Sequence, residues 1–280
     1  MKKHSSIVID GLLFFSVFLA PILCVAKSNK NDPSFSVVGN IDQVNFREPS
    51  DIVFHAKRGT LFVVGDNGSL GEIKTDGTPV KSQRIRKADF EGITYNPATG
   101  LLYLAIEGDA KILEIAPDSF AVLREFEIER TFEGKQMLQP GNSGIEGIAF
   151  VPDDQRPEGG TFFIVNQSKE QNGPKGISAV IEVEVPLKTK PNGGEAKILR
   201  YFSVGVTDLS AICYEAATGH LFVLSNKNKV LLETNLKGGI LKTYALHLKK
   251  QEGFAIDGQG FCYVAQDSGG IIKIKWTRNK

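Results

Sequence analysis

A chain of 280 residues that is 41% hydrophobic and 23% charged has enough apolar material for one large core, and its length does not require two domains. Its formal net charge of +1 supplies no global field for nucleic acid or for a strongly acidic partner. With 29 glycines, 18 phenylalanines and only 2 methionines, it has the turns and aromatic strand positions of an all-β protein.

The first 26 residues have the layout of a targeting segment. Met1-Lys2-Lys3-His4 is basic, and Ile7 to Val25 is almost wholly apolar, broken by Asp10 and Pro21. Cys24 and Ala26 place small residues at −3 and −1 of a cleavage point, so removal after Ala26 is expected. Leu23 is too bulky for a lipoprotein signal at Cys24. Retention as a membrane anchor is the alternative, because the apolar run approaches the ~20 residues of a spanning helix. Either outcome places the rest of the chain outside the cytoplasm, in a periplasm. The anchored form would be associated with the inner membrane through its N-terminus. Residues 27–33 are expected to be a linker and 34–280 the folded domain.

In that compartment the remaining cysteines, Cys213 and Cys262, have two readings, a pair of buried free thiols or a disulfide. No zinc-type spacing of Cys and His is present.

From Phe54 onward the chain repeats itself. Phe54-His55-Ala56-Lys57-Arg58-Gly59-Thr60-Leu61-Phe62-Val63-Val64 recurs as Tyr95-Asn96-Pro97-Ala98-Thr99-Gly100-Leu101-Leu102-Tyr103-Leu104-Ala105. The template returns at Gly144 to Phe150, at Tyr214 to Leu224 and at Gln251 to Ile256. The third copy carries an insertion in its first hairpin, Asp153 to Gly160, and the fifth shortens that hairpin to Asp257-Gly258-Gln259-Gly260. Each unit reads as two apolar strands, a polar glycine-containing loop, a third strand such as Lys111 to Ile115, and an alternating fourth such as Ala121 to Ile128. Four antiparallel strands per unit of about 40 residues describe a propeller blade. The fifth unit stops after its third strand, Ile271 to Trp276, and Phe35 to Ile41 can supply the fourth. The expected fold is therefore a β-propeller of five four-stranded blades, the last closed by the N-terminal strand. A six-bladed ring and a β-sandwich remain alternatives.

In such a blade the start of strand one and the end of strand two share one end of the ring. The repeat places Ser50, Glu91, Glu146, Ser210 and Glu252 at the first position, and Asp66, Glu107, Gln167, Asn226 and Asp267 at the second. All ten carry oxygen and six are carboxylates; Asp51 and Asp208 stand beside the first set. Glycine follows Glu91, Glu146 and Glu252, which suits close backbone approach in a narrow channel. Gathered carboxylates either hold protons or require a cation, and an oxygen-only donor set suits calcium. Glu91, Glu107, Glu146, Glu252, Asp66 and Asp267 are the candidate Ca²⁺ ligands, with an off-axis site near Glu91, Glu107 and Glu146 preferred because serine and amide residues break the acidic series. Each acid alone could instead accept backbone N–H groups and tie blades together.

The histidines support little acid–base chemistry: His55 and His220 fall at the first hairpin turn, at the opposite end of the ring, and His247 in an outer strand. No Ser-His-Asp arrangement or Gly-x-Ser-x-Gly elbow is visible. Basic residues flank the acidic end: Arg84, Arg86 and Lys87 before Glu91, Lys249 and Lys250 before Glu252, and Lys111, Lys169, Lys227 and Lys229 in or after the loops. They form a solvated rim or, with a cation, a phosphate-ester site.

Ser50-Asp51-Ile52-Val53-Phe54, Asp89-Phe90-Glu91-Gly92-Ile93-Thr94-Tyr95, Ser143-Gly144-Ile145-Glu146-Gly147-Ile148-Ala149-Phe150 and Gln251-Glu252-Gly253-Phe254, with Asp66-Asn67-Gly68 and Asp267-Ser268-Gly269-Gly270, resemble the SdiA-regulated family of bacterial envelope proteins, the YjiK/CarP group. The resemblance covers roughly residues 34–276. It implies a membrane-associated or periplasmic β-propeller with links to calcium and a distant likeness to phytase-type propellers, in a family without an assigned reaction. The expected function is an exported calcium-binding propeller with a regulatory or binding role, monomeric, whose partner is a small molecule or an envelope protein. A metal-dependent hydrolase (a phytase-like phosphoesterase or a lactonase) using the same acidic mouth is the alternative, and a metal-free interaction scaffold is the third.

Overall fold

The computed structural model describes residues 34–141, 144–170, 177–190 and 192–278. The targeting segment expected at 1–26 and the linker at 27–33 lie outside them.

The described residues form five four-stranded antiparallel units with no helix. The first is β2 (Pro49–His55), β3 (Thr60–Gly65), β4 (Ser69–Lys74) and β5 (Pro79–Arg84). The second is β6 (Phe90–Tyr95), β7 (Leu102–Ile106), β8 (Lys111–Ile115) and β9 (Val122–Ile128), followed by a short hairpin, β10 (Thr131–Phe132) and β11 (Lys135–Gln136). The third is β12 (Ile145–Pro152), β13 (Gly160–Asn166), β14 (Val180–Glu184) and β15 (Gly194–Phe202). The fourth is β16 (Leu209–Glu215), β17 (His220–Ser225), β18 (Val230–Thr234) and β19 (Ile240–Ala245). The fifth is β20 (Gln251–Ile256), β21 (Phe261–Gln266) and β22 (Ile271–Thr277), completed by β1 (Ser34–Asn40).

Each first strand packs against the first strands of two other units, in the closed order β2, β6, β12, β16, β20 and back to β2. Five blades, rather than six or a sandwich, therefore surround one axis. The apolar core has five parts, one between each pair of neighbouring blades, exemplified by Phe62 with Phe90, Tyr103 with Phe162, Phe163 with Leu221, Phe222 with Phe254 and Val63 with Tyr263. This accounts for the unbroken apolar second strands. Along β3, Phe62 and Val64 face the second blade while Leu61 and Val63 face the fifth, so both faces of the strand are dry.

The fourth strands differ from the alternating pattern read in the sequence. β9 alternates, but β5 and β19 are exposed along nearly their whole length. His247 follows β19 rather than lying in it. The fourth strands of the second and third blades also join, Gly194 to Ala196 pairing in parallel with Phe126 to Ile128.

β1 pairs with β22 from Ser34 opposite Thr277 to Asn40 opposite Ile272. Phe35 lies 5.2 Å from the Trp276 ring and 5.9 Å from that of Tyr244, so the closing strand is held by aromatic packing as well as by its ladder. A second recurrent device sits on the third strands. Glu72 accepts from Arg58 at 2.8 Å and from Thr60 at 2.6 Å; Glu114 from Arg124 at 2.6 Å and Tyr103 at 2.8 Å; Glu182 from Thr161 at 2.9 Å and Arg156 at 3.2 Å. Glu233 takes the place in the fourth blade, with His220 at 2.7 Å and Tyr244 at 2.6 Å. These carboxylates, buried at Glu72, Glu114 and Glu182 and half-buried at Glu233, are partnered, which is the condition for tolerating them inside a sheet stack.

Closure by β1 predicts that Phe35→Ala costs about 2 kcal/mol, less than the ~3–5 kcal/mol of a fully buried Phe→Ala change because Phe35 is half-buried. Denaturant unfolding measures this, and an unchanged midpoint would mean that β1 does not hold the ring.

Candidate functional site

In all five blades the ladder between strands one and two slips at one residue near the start of strand one. The pairs run Pro49 with Gly65 then Asp51 with Val64; Phe90 with Ile106 then Gly92 with Ala105; Ile145 with Asn166 then Gly147 with Val165; Leu209 with Ser225 then Ala211 with Leu224; Gln251 with Gln266 then Gly253 with Ala265. The residues left out of register are Ser50, Glu91, Glu146, Ser210 and Glu252, the positions that the repeat aligned at the start of strand one. A bulge frees its residue from the ladder and re-aims the side chain.

The second set closes over the first. The N–H groups of Asp66, Glu107, Gln167, Asn226 and Asp267 donate to the carbonyls of Glu48, Asp89, Gly144, Asp208 and Lys250, two residues before each bulge, at 3.1 to 3.3 Å. Both sets therefore occupy one end of the channel. The close approach expected of the glycines is also present: a Cβ on Gly253 would lie 2.6 Å from Asp51 Cα, and one on Gly147 would lie 3.0 Å from Ala211 Cα.

The two serines behave differently from the glutamates. Ser50 Oγ donates to the Phe90 carbonyl, and Ser210 Oγ to the Gln251 carbonyl at 2.9 Å, each just before the next blade's bulged glutamate. An ionised glutamate cannot donate, so the breaks in the acidic series fall where a donor ties two blades. Asp51 is buried and accepts from Ile52 and Ile93 N–H at 2.8 Å each, a structural tie between blades one and two.

The carboxylates divide into three groups. Asp66, Asp89 and Glu91 present oxygens that all lie within 4.8 Å of one another. Asp89 shares a hydrogen bond with Glu91, as two carboxyl groups do when one holds a proton, and no N–H group donates to its buried Oδ1. Next to this triad Glu146 shares a hydrogen bond with Glu107, which also accepts from Gly144 N–H at 3.1 Å. Glu252 stands apart, accepting from Asn226 Nδ2 at 3.0 Å, while Lys229 Nζ donates to Asn226 Oδ1 at 2.8 Å. Asp267, one of the six sequence candidates, is paired with Lys250 at 2.6 Å. The densest oxygen cluster is thus at the junction of blades one and two, one blade earlier than the Glu91, Glu107 and Glu146 grouping read in the sequence.

Asp89 was absent from the aligned ring. Its signal was present all the same: two residues before the bulge stand Glu48, Asp89, Gly144, Asp208 and Lys250, three of them acidic.

Burial raises the carboxyl pKa values of this end, and mutual repulsion adds to it. Glu91 is pushed well up by burial and by the charges of Glu146, Asp66, Asp89 and Glu107. Glu146 is pushed up by burial, Glu107, Glu252 and Asp208. Glu252 rises to about 8 and Asp66 to about 6, each chiefly through burial. Groups so placed either keep a proton or accept a cation. A buried carboxylate oxygen to which no N–H group donates and an oxygen-only donor set fit a hard divalent cation such as Ca²⁺.

Three residues of the basic rim are engaged elsewhere. Arg84 donates to the Asn67 carbonyl at 2.9 Å, Arg86 to Glu125 at 2.6 Å, and Lys111 lies 3.6 Å from Glu127. At the other end His55 is buried, stacked on Tyr95 with ring centroids 4.4 Å apart and 3.0 Å from the Gly100 carbonyl. Cys213 and Cys262 are free thiols, and burial raises both.

Residues 37–268 match the protein family described as SdiA-regulated. Comparison with curated proteins gives no match. Among solved structures, the β-propeller domain of Cps50 (Swd1) from Myceliophteria thermophila aligns at 9% identity over 88% of this chain and 100% of that one, with a TM-score of 0.49. A protein of unknown function from Bacteroides caccae aligns at 15% identity over 78% of this chain and 70% of its own, with a TM-score of 0.48.

The raised carboxyls set the sign of the pH response. A carboxyl whose folded pKa exceeds its unfolded value binds its proton more tightly in the folded chain, so raising the pH through that window favours unfolding. For Glu252 the window runs from its ordinary 4.5 to about 8, and for Asp66 from 3.8 to about 6. The metal-free chain should therefore unfold at a lower temperature at pH 8 than at pH 5, and Glu252→Gln should flatten the fall. A melting midpoint that rises across this range, followed by circular dichroism, contradicts the assignment.

Proposed function

The chain belongs to the SdiA-regulated family, and on that premise we propose that it is an exported β-propeller that binds Ca²⁺ at the acidic mouth and acts in the bacterial envelope by regulation or binding. The observation that carries the reading is the triad of Asp66, Asp89 and Glu91, with its buried oxygen to which no N–H group donates, set beside Glu107 and Glu146. Bound there, a divalent cation would supply the charge that these carboxylates lack and allow them to ionise together. Because Asp66 follows strand two of the first blade and Glu91 opens the second, the ion would also fasten two blades. The basic and apolar N-terminal residues support export, with the domain periplasmic and either released or anchored in the inner membrane. The expected working state is a monomer that meets a small molecule or an envelope protein.

The hydrolase alternative needs free cations beside the metal to hold a phosphate ester. Lys250 is paired with Asp267, and Arg86 with Glu125. That leaves the exposed Lys87 and Lys249 as the cations such a site would use.

Stripping the chain with a chelator and then adding millimolar Ca²⁺ should raise the melting midpoint, since a ligand at 100 times its Kd stabilises by about 2.7 kcal/mol. The double variant Asp89→Asn, Glu91→Gln should keep the fold and lose the shift. An unshifted midpoint in the unaltered chain removes the calcium reading. Metal-dependent turnover of a phosphate ester or lactone, lost in the same variant, would replace the binding role with the hydrolase.

A further inference from the structure

The channel has a second mouth, at the end remote from the carboxylates. A cavity of about 260 Å³ opens there, walled by one stretch of each blade within 52–56, 93–97, 148–152, 212–217 and 254–258. Strand periodicity explains its layers. Two residues beyond the bulges, on the same strand face, stand Ile52, Ile93, Ile148, Ile212 and Phe254, each 2% exposed or less, which form an apolar floor. Two residues further on come Phe54, Tyr95, Phe150, Tyr214 and Ile256, of which all but Phe150 are half-buried and form the wall. One channel thus carries an acidic layer at one end and an aliphatic and aromatic layer at the other.

We propose that this cavity binds a single small, neutral, apolar molecule, of the size of a substituted monocyclic aromatic or a medium-length alkyl chain. The volume sets the size, since a dry apolar cavity of roughly 150 Å³ holds benzene. The charges set the neutrality. None of the lining residues is Lys, Arg or His. The two lining carboxylates are already satisfied: Glu215 pairs with Arg278 at 2.6 Å and with Thr218 at 2.8 Å, while Asp257 accepts from Gln259 and Phe261 N–H at 2.7 and 3.0 Å and from Tyr263 at 3.1 Å. An anion would meet no free positive charge there and a cation no free negative one. A neutral apolar guest loses only its contact with water, which is favourable. The inference is independent of the metal reading, because it uses none of the acidic mouth.

Titration of the chain with the neutral single-ring dye 4-(dimethylamino)benzonitrile, followed by fluorescence, tests it. One saturable site per chain is expected, displaced by 1-hexanol at least 10-fold more readily than by hexanoate or hexylammonium. Ala56→Trp and Ala217→Trp place bulk on exposed rim positions of two blades, so folding is spared, and each should weaken the dye at least 10-fold. Asp89→Asn, at the acidic mouth, should leave it unchanged. Absence of a saturable site, equal displacement by the charged competitors, or affinity unaltered in both rim variants overturns the proposal; the last result would place the dye on another apolar surface.

Discussion

The feature on which the rest of this molecule depends is that the inner strands of every blade are dry on both faces. Each sheet is pressed between two neighbours, and five separate apolar cores, not one, close the ring. A sheet in that position cannot alternate apolar and polar residues on its inner strands, and β3, β7, β13, β17 and β21 do not. The third-strand carboxylates of Glu72, Glu114, Glu182 and Glu233 enter the stack already partnered, whereas the buried amide of Gln251 on β20 has no hydrogen-bond partner. With the fourth strand of the last blade borrowed from β1, no blade is left incomplete.

Crowding at the axis shapes both ends of the channel. The inner strands approach so closely that a Cβ on Gly253 would collide with Asp51 and one on Gly147 would crowd Ala211. One residue before these glycines the ladder bulges, which frees the side chain from the strand pairing. Where it is serine, it ties the next blade's backbone. Where it is glutamate, its charge is added to a poorly solvated cluster. The same period of two then places isoleucine, and next an aromatic residue, further along four of the strands, with the order reversed at Phe254 and Ile256 of the fifth. Opposite chemistries at the two ends of one channel thus follow from a single backbone arrangement repeated five times.

Clustered carboxylates store free energy that protons or a cation can release. Desolvation is the largest contribution at Glu91, Glu146 and Glu252, ahead of their mutual repulsion. The fold has therefore placed these acids in a poorly hydrated mouth at a cost to its own metal-free stability. Asp267 shows the contrast: Lys250 pairs with it directly at 2.6 Å, although its charge still helps to raise Glu252 and Asp66.

The residues by themselves determined the repeat, the strand count per blade, the closing N-terminal strand and the ring of oxygen-bearing positions. These are local or periodic properties, set by side-chain alternation and by turns that recur about every 40 residues. Only the tertiary structure decided which acids meet. Asp89 and Glu91 meet Asp66 because the turn at Asp66–Gly68 in the first blade packs against residues 85–88 leading into the second, and sequence distance says nothing about that approach. It also decided the Glu233 and Glu182 partners, the parallel joining of β9 to β15, and the apolar cavity. Those features draw on segments many residues apart, whose apolar side chains read in the sequence as ordinary core. A long-range juxtaposition carries no local signature; it exists only once five dry faces have found one another.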